Sequence, residues 1–373
     1  MSLEICNAAK ENNLEFVKIL IEQGINVNAT DNEDKSSLHW ASMNGHIEIV
    51  KLLIENKANI NIATANGYTP LHLAIMQEHY EIAALLIKND ADVNAATANN
   101  STPLHFAATS KSGTPEGIKL LIENNAVVNV ADEDGETPLF RACIDGFSDR
   151  VKLLIKHRAD INKARNDKLS PLHWPSRRDH TEVIKLLITN RANVNSADIY
   201  EESPLHGAAA NGQINAAKLL LENGADINKI DEDGETPLYK ALKYLQYKEE
   251  GTPLFKKYIE TAKFFIDAML EQNPRQEKPS FIEPHKNISA YWDEKMQIIN
   301  LKIDYLLKSE KMGSKNSTQV LLNKISLAEN NSLLSLSFHH FFKLLNTEEI
   351  KKTVSNKTDN SEENTSSPPG LGK

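Results

Sequence analysis

The feature that most limits what this chain can become is a tetrapeptide that returns on a fixed beat. Ser36-Ser-Leu-His39, Thr69-Pro-Leu-His72 and Thr102-Pro-Leu-His105 begin 33 residues apart. Thr137-Pro-Leu-Phe140 follows after 35, and Ser170-Pro-Leu-His173, Ser203-Pro-Leu-His206 and Thr236-Pro-Leu-Tyr239 return to 33. A period of this length means stacked supersecondary units rather than one globular core.

Each copy has the same internal order. A Ser or Thr offers an oxygen to the free N–H groups of a first helical turn, and Pro at the first helical position gives up a donor that had no partner. A short helix follows, then a tight turn such as Asn44-Gly45 or Asn211-Gly212. The second helix carries an apolar stripe, for example Ile47, Val50, Leu53 and Ile54. An extended stretch such as Ala91-Asp-Val-Asn94 then leads into a polar hairpin. Neither helix buries its stripe alone, so neighbouring copies must supply the core.

These elements resemble the ankyrin repeat, over about residues 3–272. The resemblance implies an all-α solenoid of about eight helix-turn-helix-hairpin units in residues 1–272, with an L-shaped cross-section and binding through hairpin tips and first helices. Leu14–Ile21 supplies the second helix of an initial unit, and polar Glu4, Lys10, Glu11 and Asn12 fit an end cap. The last unit is expected to run from Thr236 through a lengthened connection to a helix near Tyr258–Glu271. Residues 273–288 read as a linker and 289–350 as a helical segment. Within that segment, Ser289–Lys311 carries Trp292, Met296, Ile299, Ile303 and Leu306 on one stripe, and residues 317–328 and 332–345 are further helix candidates. Residues 351–373 are too polar to build a core and read as a disordered tail.

Two irregularities interrupt the pattern. Repeat four holds two extra residues around Ser110–Glu116, with Thr114-Pro-Glu116 expected to cap the next helix. In repeat six, Pro175 falls inside the first helix, which predicts a distorted or shortened helix between Leu172 and Asp179.

Charge narrows the function. Residues 1–273 carry 28 Lys/Arg against 39 Asp/Glu, whereas residues 274–373 carry 14 against 12. That acidity argues against nucleic acid as the ligand of the array and favours a protein partner, one with a basic segment in particular. The position after the motif His faces the concave groove in the family that the chain resembles, and here it is Trp40, Leu73, Phe106, Arg141, Trp174, Gly207 and Lys240. Trp40, Phe106, Arg141 and Trp174 are therefore partner-binding candidates, joined by Arg177 beside the irregular helix. The hairpin tips add acidic candidates, Asp132, Glu133, Asp231 and Glu232 above all, and apolar ones, Tyr68 and Tyr200. Packing within the array and solubility are the competing roles for these positions.

Five motif histidines stand one per unit, about 10 Å apart, too far to share an ion at metal-bond lengths of roughly 2 Å. They are expected to hydrogen-bond between repeats. Cys143 aligns with Ser42 in a small-residue slot and is expected to be a packed thiol. No phosphate loop, nucleophile elbow, zinc-protease or metal-spaced Cys/His motif occurs, so no catalytic residue, cofactor, metal or small-molecule substrate is indicated. No apolar run spans a bilayer, and two cysteines form no disulfide framework, which points to the cytoplasm. The expected function is a non-enzymatic protein-interaction scaffold. The alternative is a secreted bacterial effector, acting from the host cytoplasm, that recruits a target through the repeats and carries an unrecognised activity in residues 274–350. The Asn, Lys and Ile content and the polar, Glu-flecked tail resemble such ankyrin effectors. Resemblance also implies Asn94, beside Asp92 and after Leu86, as an acceptor for asparaginyl hydroxylation.

Overall fold

The computed structural model describes residues 2–297, apart from 110–113, 246, 247, 249 and 275. The chain divides into two compact units, the first ending at Ala241 and the second beginning at Leu242.

The first unit is a run of paired helices. Repeat one is α1 (Ser2–Lys10) and α2 (Leu14–Glu22), repeat two α3 (Ser37–Asn44) and α4 (Ile47–Glu55), and repeat three α5 (Pro70–Met76) and α6 (Tyr80–Lys88). Repeat four is α7 (Pro103–Ala108) and α8 (Glu116–Glu123), and repeat five α9 (Pro138–Asp145) and α10 (Ser148–Lys156). Repeat six is α11 (His173–Arg178) and α12 (Thr181–Thr189), and repeat seven α13 (Pro204–Ala210) and α14 (Ile214–Glu222). The unit boundary falls inside α15 (Pro237–Leu245). Among the described residues the only β pairing is an isolated bridge between Thr30 and Ser36, so the expected all-α repeat architecture holds.

The second helices bury their stripes as triplets, such as Ile49, Val50 and Leu53, then Ile82, Ala83 and Leu86. Each Ile, Val or Leu side chain among them contributes about 1.5–3 kcal/mol when fully buried. Phe16 occupies the register of Ile49 and Ile82 yet is exposed.

Histidine stitches the first helices together. In His39 the ring Nδ1 accepts from Ser36 N–H at 3.0 Å, and Nε2 reaches the Tyr68 carbonyl of the next repeat at 2.9 Å. His72, His105, His173 and His206 repeat this, reaching the carbonyls of Ser101, Glu136, Glu202 and Glu235. An Nδ1 that accepts from a backbone N–H leaves the proton on Nε2, which fixes the neutral tautomer. In repeat one Cys6 stands in the histidine register, and its Sγ–H points to Lys35 O at 3.5 Å. Cys143 is likewise buried among packed atoms.

Asparagine stitches the hairpins. Asn94 Oδ1 accepts from Val127 N–H at 2.8 Å, and its Nδ2 donates to Asn125 O at 3.3 Å. Asn61, Asn129, Asn162 and Asn195 make the same two bonds one repeat onward.

Both irregularities have structural outcomes. Pro175 has no N–H to donate, and the helix of repeat six starts at His173, two residues later than its neighbours start after their caps. In repeat four the N-cap is Pro115, with no side-chain cap bond, rather than Thr114. The carbonyls of Thr114 and Ala108 accept from the buried Arg150 guanidinium at 3.2 and 2.9 Å.

In the second unit, α16 (Pro253–Gln272) starts five residues before the expected Tyr258. A 3-10 turn follows at Ser280–Ile282, and residues 286–297 are helical (α17). Helix therefore begins inside the stretch read as linker. Trp292 and Ile288 are buried, and Asp267 of α16 accepts from Tyr291 Oη at 2.8 Å and pairs with Lys295 at 2.9 Å. The helix candidates at 317–328 and 332–345 and the tail lie outside the described residues.

Candidate interaction surface

Every hairpin turns in the same way, and the turn decides which acidic residues face solvent. Asp132 Oδ1 accepts from the N–H groups of Asp134 and Glu136 at 3.0 and 2.8 Å, and Asp231 treats Asp233 and Glu235 alike. Asp31 and Asp198 do the same in their hairpins. Where Thr64 and Thr97 replace Asp, the hydroxyl accepts the second of these bonds, from Tyr68 and Ser101.

A second rule couples this turn residue to the position nine residues on, the one that follows the motif His. Trp40 Nε1 donates to Asp31 Oδ2 at 2.6 Å, Arg141 Nη2 to Asp132 Oδ2 at 2.5 Å, and Lys240 Nζ pairs with Asp231 Oδ2 at 2.6 Å. Opposite Thr64 and Thr97 stand Leu73 and Phe106, which need no acceptor. Asp31, Asp132 and Asp231 therefore meet a donor, and Thr64 and Thr97 an apolar side chain, whereas Asp198 has Gly207 at that position.

These pairings correct three expectations. Trp40 is 5% exposed, its indole N–H spent on Asp31 and its ring beneath the ammonium groups of Lys10 and Lys35 at 4.2 and 4.3 Å. It is a packed residue rather than a solvent-facing anchor. Asp132 and Asp231, expected at exposed tips, are buried because their carboxylates organise the turn from inside. Glu133 and Glu232, one residue later, are exposed as expected.

The remaining candidates fall into two groups. Tyr68, half-buried, lies 5.8 Å from the Phe106 ring, and the Arg141 guanidinium lies 5.9 Å from the same ring. Three successive repeats thus present one aromatic and cationic row. Arg141 is also paired with Glu136, which holds Arg165 as well. Trp174, half-buried, has Arg177 and Arg178 within 5.5 and 5.1 Å of its ring. Its turn partner is Arg165 rather than Asp, and among the described residues its Nε1 has no acceptor. Arg177 itself reaches forward to Asp198 and Glu202 at 3.5 and 3.1 Å. Tyr200 is exposed on the hairpin of Asp198.

Lys240 sits at the centre of the most closed cluster. Its Nζ lies 2.9 Å from Glu202, 2.6 Å from Asp231 and 3.0 Å from Glu235. Burial works against its charge, but the carboxylates hold its pKa well above the ordinary lysine range. Asp231, Asp233 and Glu235 place carboxylate oxygens within 4.8 Å of one another. The ammonium already supplies the positive charge at that place, so the cluster gives no reason to invoke a metal ion.

The apolar floor of the face continues between repeats two and three. A cavity of about 450 Å³ is lined there by Met43, Leu73, Met76 and Tyr68 and rimmed by Glu33 and Asp34. Asn94 is occupied by its inter-repeat bonds on both sides of the carboxamide. Among the described residues no helix is long and apolar enough to cross a membrane.

The i, i+9 rule was readable in the sequence, since Asp31/Trp40, Asp132/Arg141 and Asp231/Lys240 stand in register, but a turn residue reads as a tip unless its hydrogen bonds are counted. A family model described as ankyrin repeats (3 copies) matches residues 5–97, 61–132, 104–198 and 192–268. No curated protein matches the chain.

Proposed function

Because the chain belongs to the ankyrin-repeat family, whose arrays are generally protein-interaction modules, we propose that it is a non-enzymatic scaffold that holds a partner protein along the first-helix and hairpin face. The observation that carries this reading is the Tyr68–Phe106–Arg141 row, which leaves part of two aromatic rings at the surface of three consecutive repeats. Aromatic rings and Arg are the side chains that most often carry interface energy, and a row spanning repeats suits an extended partner segment. The exposed Glu133 and Glu232 favour a partner with basic residues, since such rim charges steer encounter more than they hold the complex. A cytoplasmic setting is part of the proposal, supported by two buried, unpaired thiols.

Photo-crosslinking tests the reading. A benzophenone amino acid placed at Tyr68 or Phe106 should capture a partner protein that the same probe at Lys119, exposed on α8, does not. Equal capture from all three positions would remove the face from consideration.

A further inference from the structure

The seven hairpins of the array are seven answers to one structural problem, so the chain supplies its own comparison set. The residue before each turn residue is Thr30, Ala63, Ala96, Ala131, Ala164 and Ala197, and then Ile230. The residue after it is Asn32, Ala65, Ala98, Glu133 and Asn166, then Ile199, then Glu232. The next is Glu33, Asn66, Asn99, Asp134 and Asp167, then Tyr200, then Asp233. Six hairpins at each position use small or polar residues, so the turn does not need a bulky apolar group there.

The three departures are neighbours, and all three face solvent. Glu232 N–H donates to Tyr200 O at 3.0 Å, joining the two hairpin tips that carry them. Ile199, Tyr200 and Ile230 are 44%, 55% and 58% exposed. Burial in the array therefore does not explain them, and exposed apolar clusters of this kind mark contact surfaces.

Their surroundings specify the partner. Glu201, Glu232 and Asp233 are exposed on the same two hairpins. Two cations that flank the second hairpin are turned to internal partners: Lys240 to Asp231, Glu202 and Glu235, and Lys229 to the Asn195 carbonyl at 2.9 Å. Arg177 is spent on Asp198 and Glu202. The preceding hairpin presents Asp167 and Lys168, one of each sign.

We propose that Ile199, Tyr200 and Ile230 form a docking patch for a partner segment in which bulky apolar side chains alternate with lysine or arginine. The patch gives the scaffold a second contact region, distinct from the Tyr68–Phe106–Arg141 row, and the proposal rests on the scaffold reading only for its assumption that the partner is protein. Apolar side chains of the segment lie on Ile199, Tyr200 and Ile230, and its cations meet Glu201, Glu232 and Asp233.

The test uses the full chain and three dye-labelled peptides of equal length, alternating Leu with Lys, Ser with Lys and Leu with Glu, read by fluorescence anisotropy. The variant Ile199→Asn, Tyr200→Asp, Ile230→Ala installs residues the chain itself carries at these positions in its preceding hairpins, so the fold has already accepted them. The Leu/Lys peptide should bind best, and the triple variant should weaken it about tenfold or more with no change in melting temperature. Since Tyr200→Asp adds negative charge, a loss of binding isolates the apolar contribution. Equal binding of the Ser/Lys peptide, no binding of any peptide, or unchanged binding by the variant would overturn the proposal. So would a wild-type dimer in sedimentation that the variant abolishes, because the patch would then serve a second copy. None of these outcomes touches crosslinking from Tyr68 and Phe106, so the scaffold reading stands or falls separately.

Discussion

Arg177 fills the space above Gly207: a Cβ built on Gly207 would stand 2.7 Å from Arg177 Cγ. Gly207 occupies the register where Trp40, Arg141 and Lys240 supply a donor to their own turn carboxylate. With no side chain there, the guanidinium of the preceding repeat serves Asp198 and Glu202 instead. One repeat completes the turn of the next.

That substitution predicts a change of sign. Gly207→Ala should destabilise the chain by roughly 1–2 kcal/mol, because the methyl displaces Arg177 from two carboxylates. In an Arg177→Ala background the same change should stabilise by about 0.5–1 kcal/mol, the ordinary gain of Ala over Gly in a helix interior. Denaturant melts of the four proteins give the coupling directly, and additive effects would show that the two positions are independent.

The hairpin acids should separate by one residue. Asp231→Ala leaves the Lys240 ammonium short of its nearest carboxylate and two turn N–H groups without an acceptor, a loss of about 3 kcal/mol. Charge reversal at the exposed Glu133 and Glu232 should move stability by less than about 0.5 kcal/mol. The same double reversal should slow association with a basic peptide and flatten its salt dependence, which stopped-flow mixing at several ionic strengths resolves.

The histidine series makes the array acid-sensitive. Burial first of all lowers the pKa of His72 and His105 to about 4, and it lowers those of His39, His173 and His206 as well. An unfolded histidine titrates near 6.5, so between that value and about 4 the unfolded chain binds more protons than the folded one. Stability is full above about pH 6.5 and falls as pH drops through this window. Melting temperature should therefore decline steadily from pH 7 to pH 4, and His105→Gln should flatten part of the slope.

Asn94→Ala should cost about 1–3 kcal/mol, since Val127 N–H loses its acceptor and Asn125 O its donor. Hydrogen exchange offers the local readout: Val127 should lose protection before amides two repeats away. Uniform loss across the array would mean that the bond is global in effect.

Much of this fold could be read without coordinates, because the determinants were local. Thr-Pro at a helix start and an apolar stripe at helical spacing each act within a turn or two, and Pro175 shortened its helix as its missing N–H requires. What failed was the assignment of solvent exposure. Trp40 and Asp31 are nine residues apart and satisfy one another, so neither residue alone reveals that both are committed inward. Asp132 looks like Glu133 in composition, yet their neighbouring places in a turn of fixed geometry send one carboxylate in and the other out. Arg177 was legible only as an irregularity, because its partners lie on the following repeat.

Phe140 stands where five other repeats place the bridging imidazole, and a phenyl ring donates nothing to the following repeat. The stitching of first helices thus runs from His39 through His105, lapses once, and resumes at His173. Across that interval the Arg165–Glu136 ion pair and the Asn129 amide still bind the hairpins. Under tension applied to the array's ends, such a stack has a preferred tear line. The blocks on either side should come apart as separate force peaks, with the break between repeats five and six yielding before the joints that histidine secures.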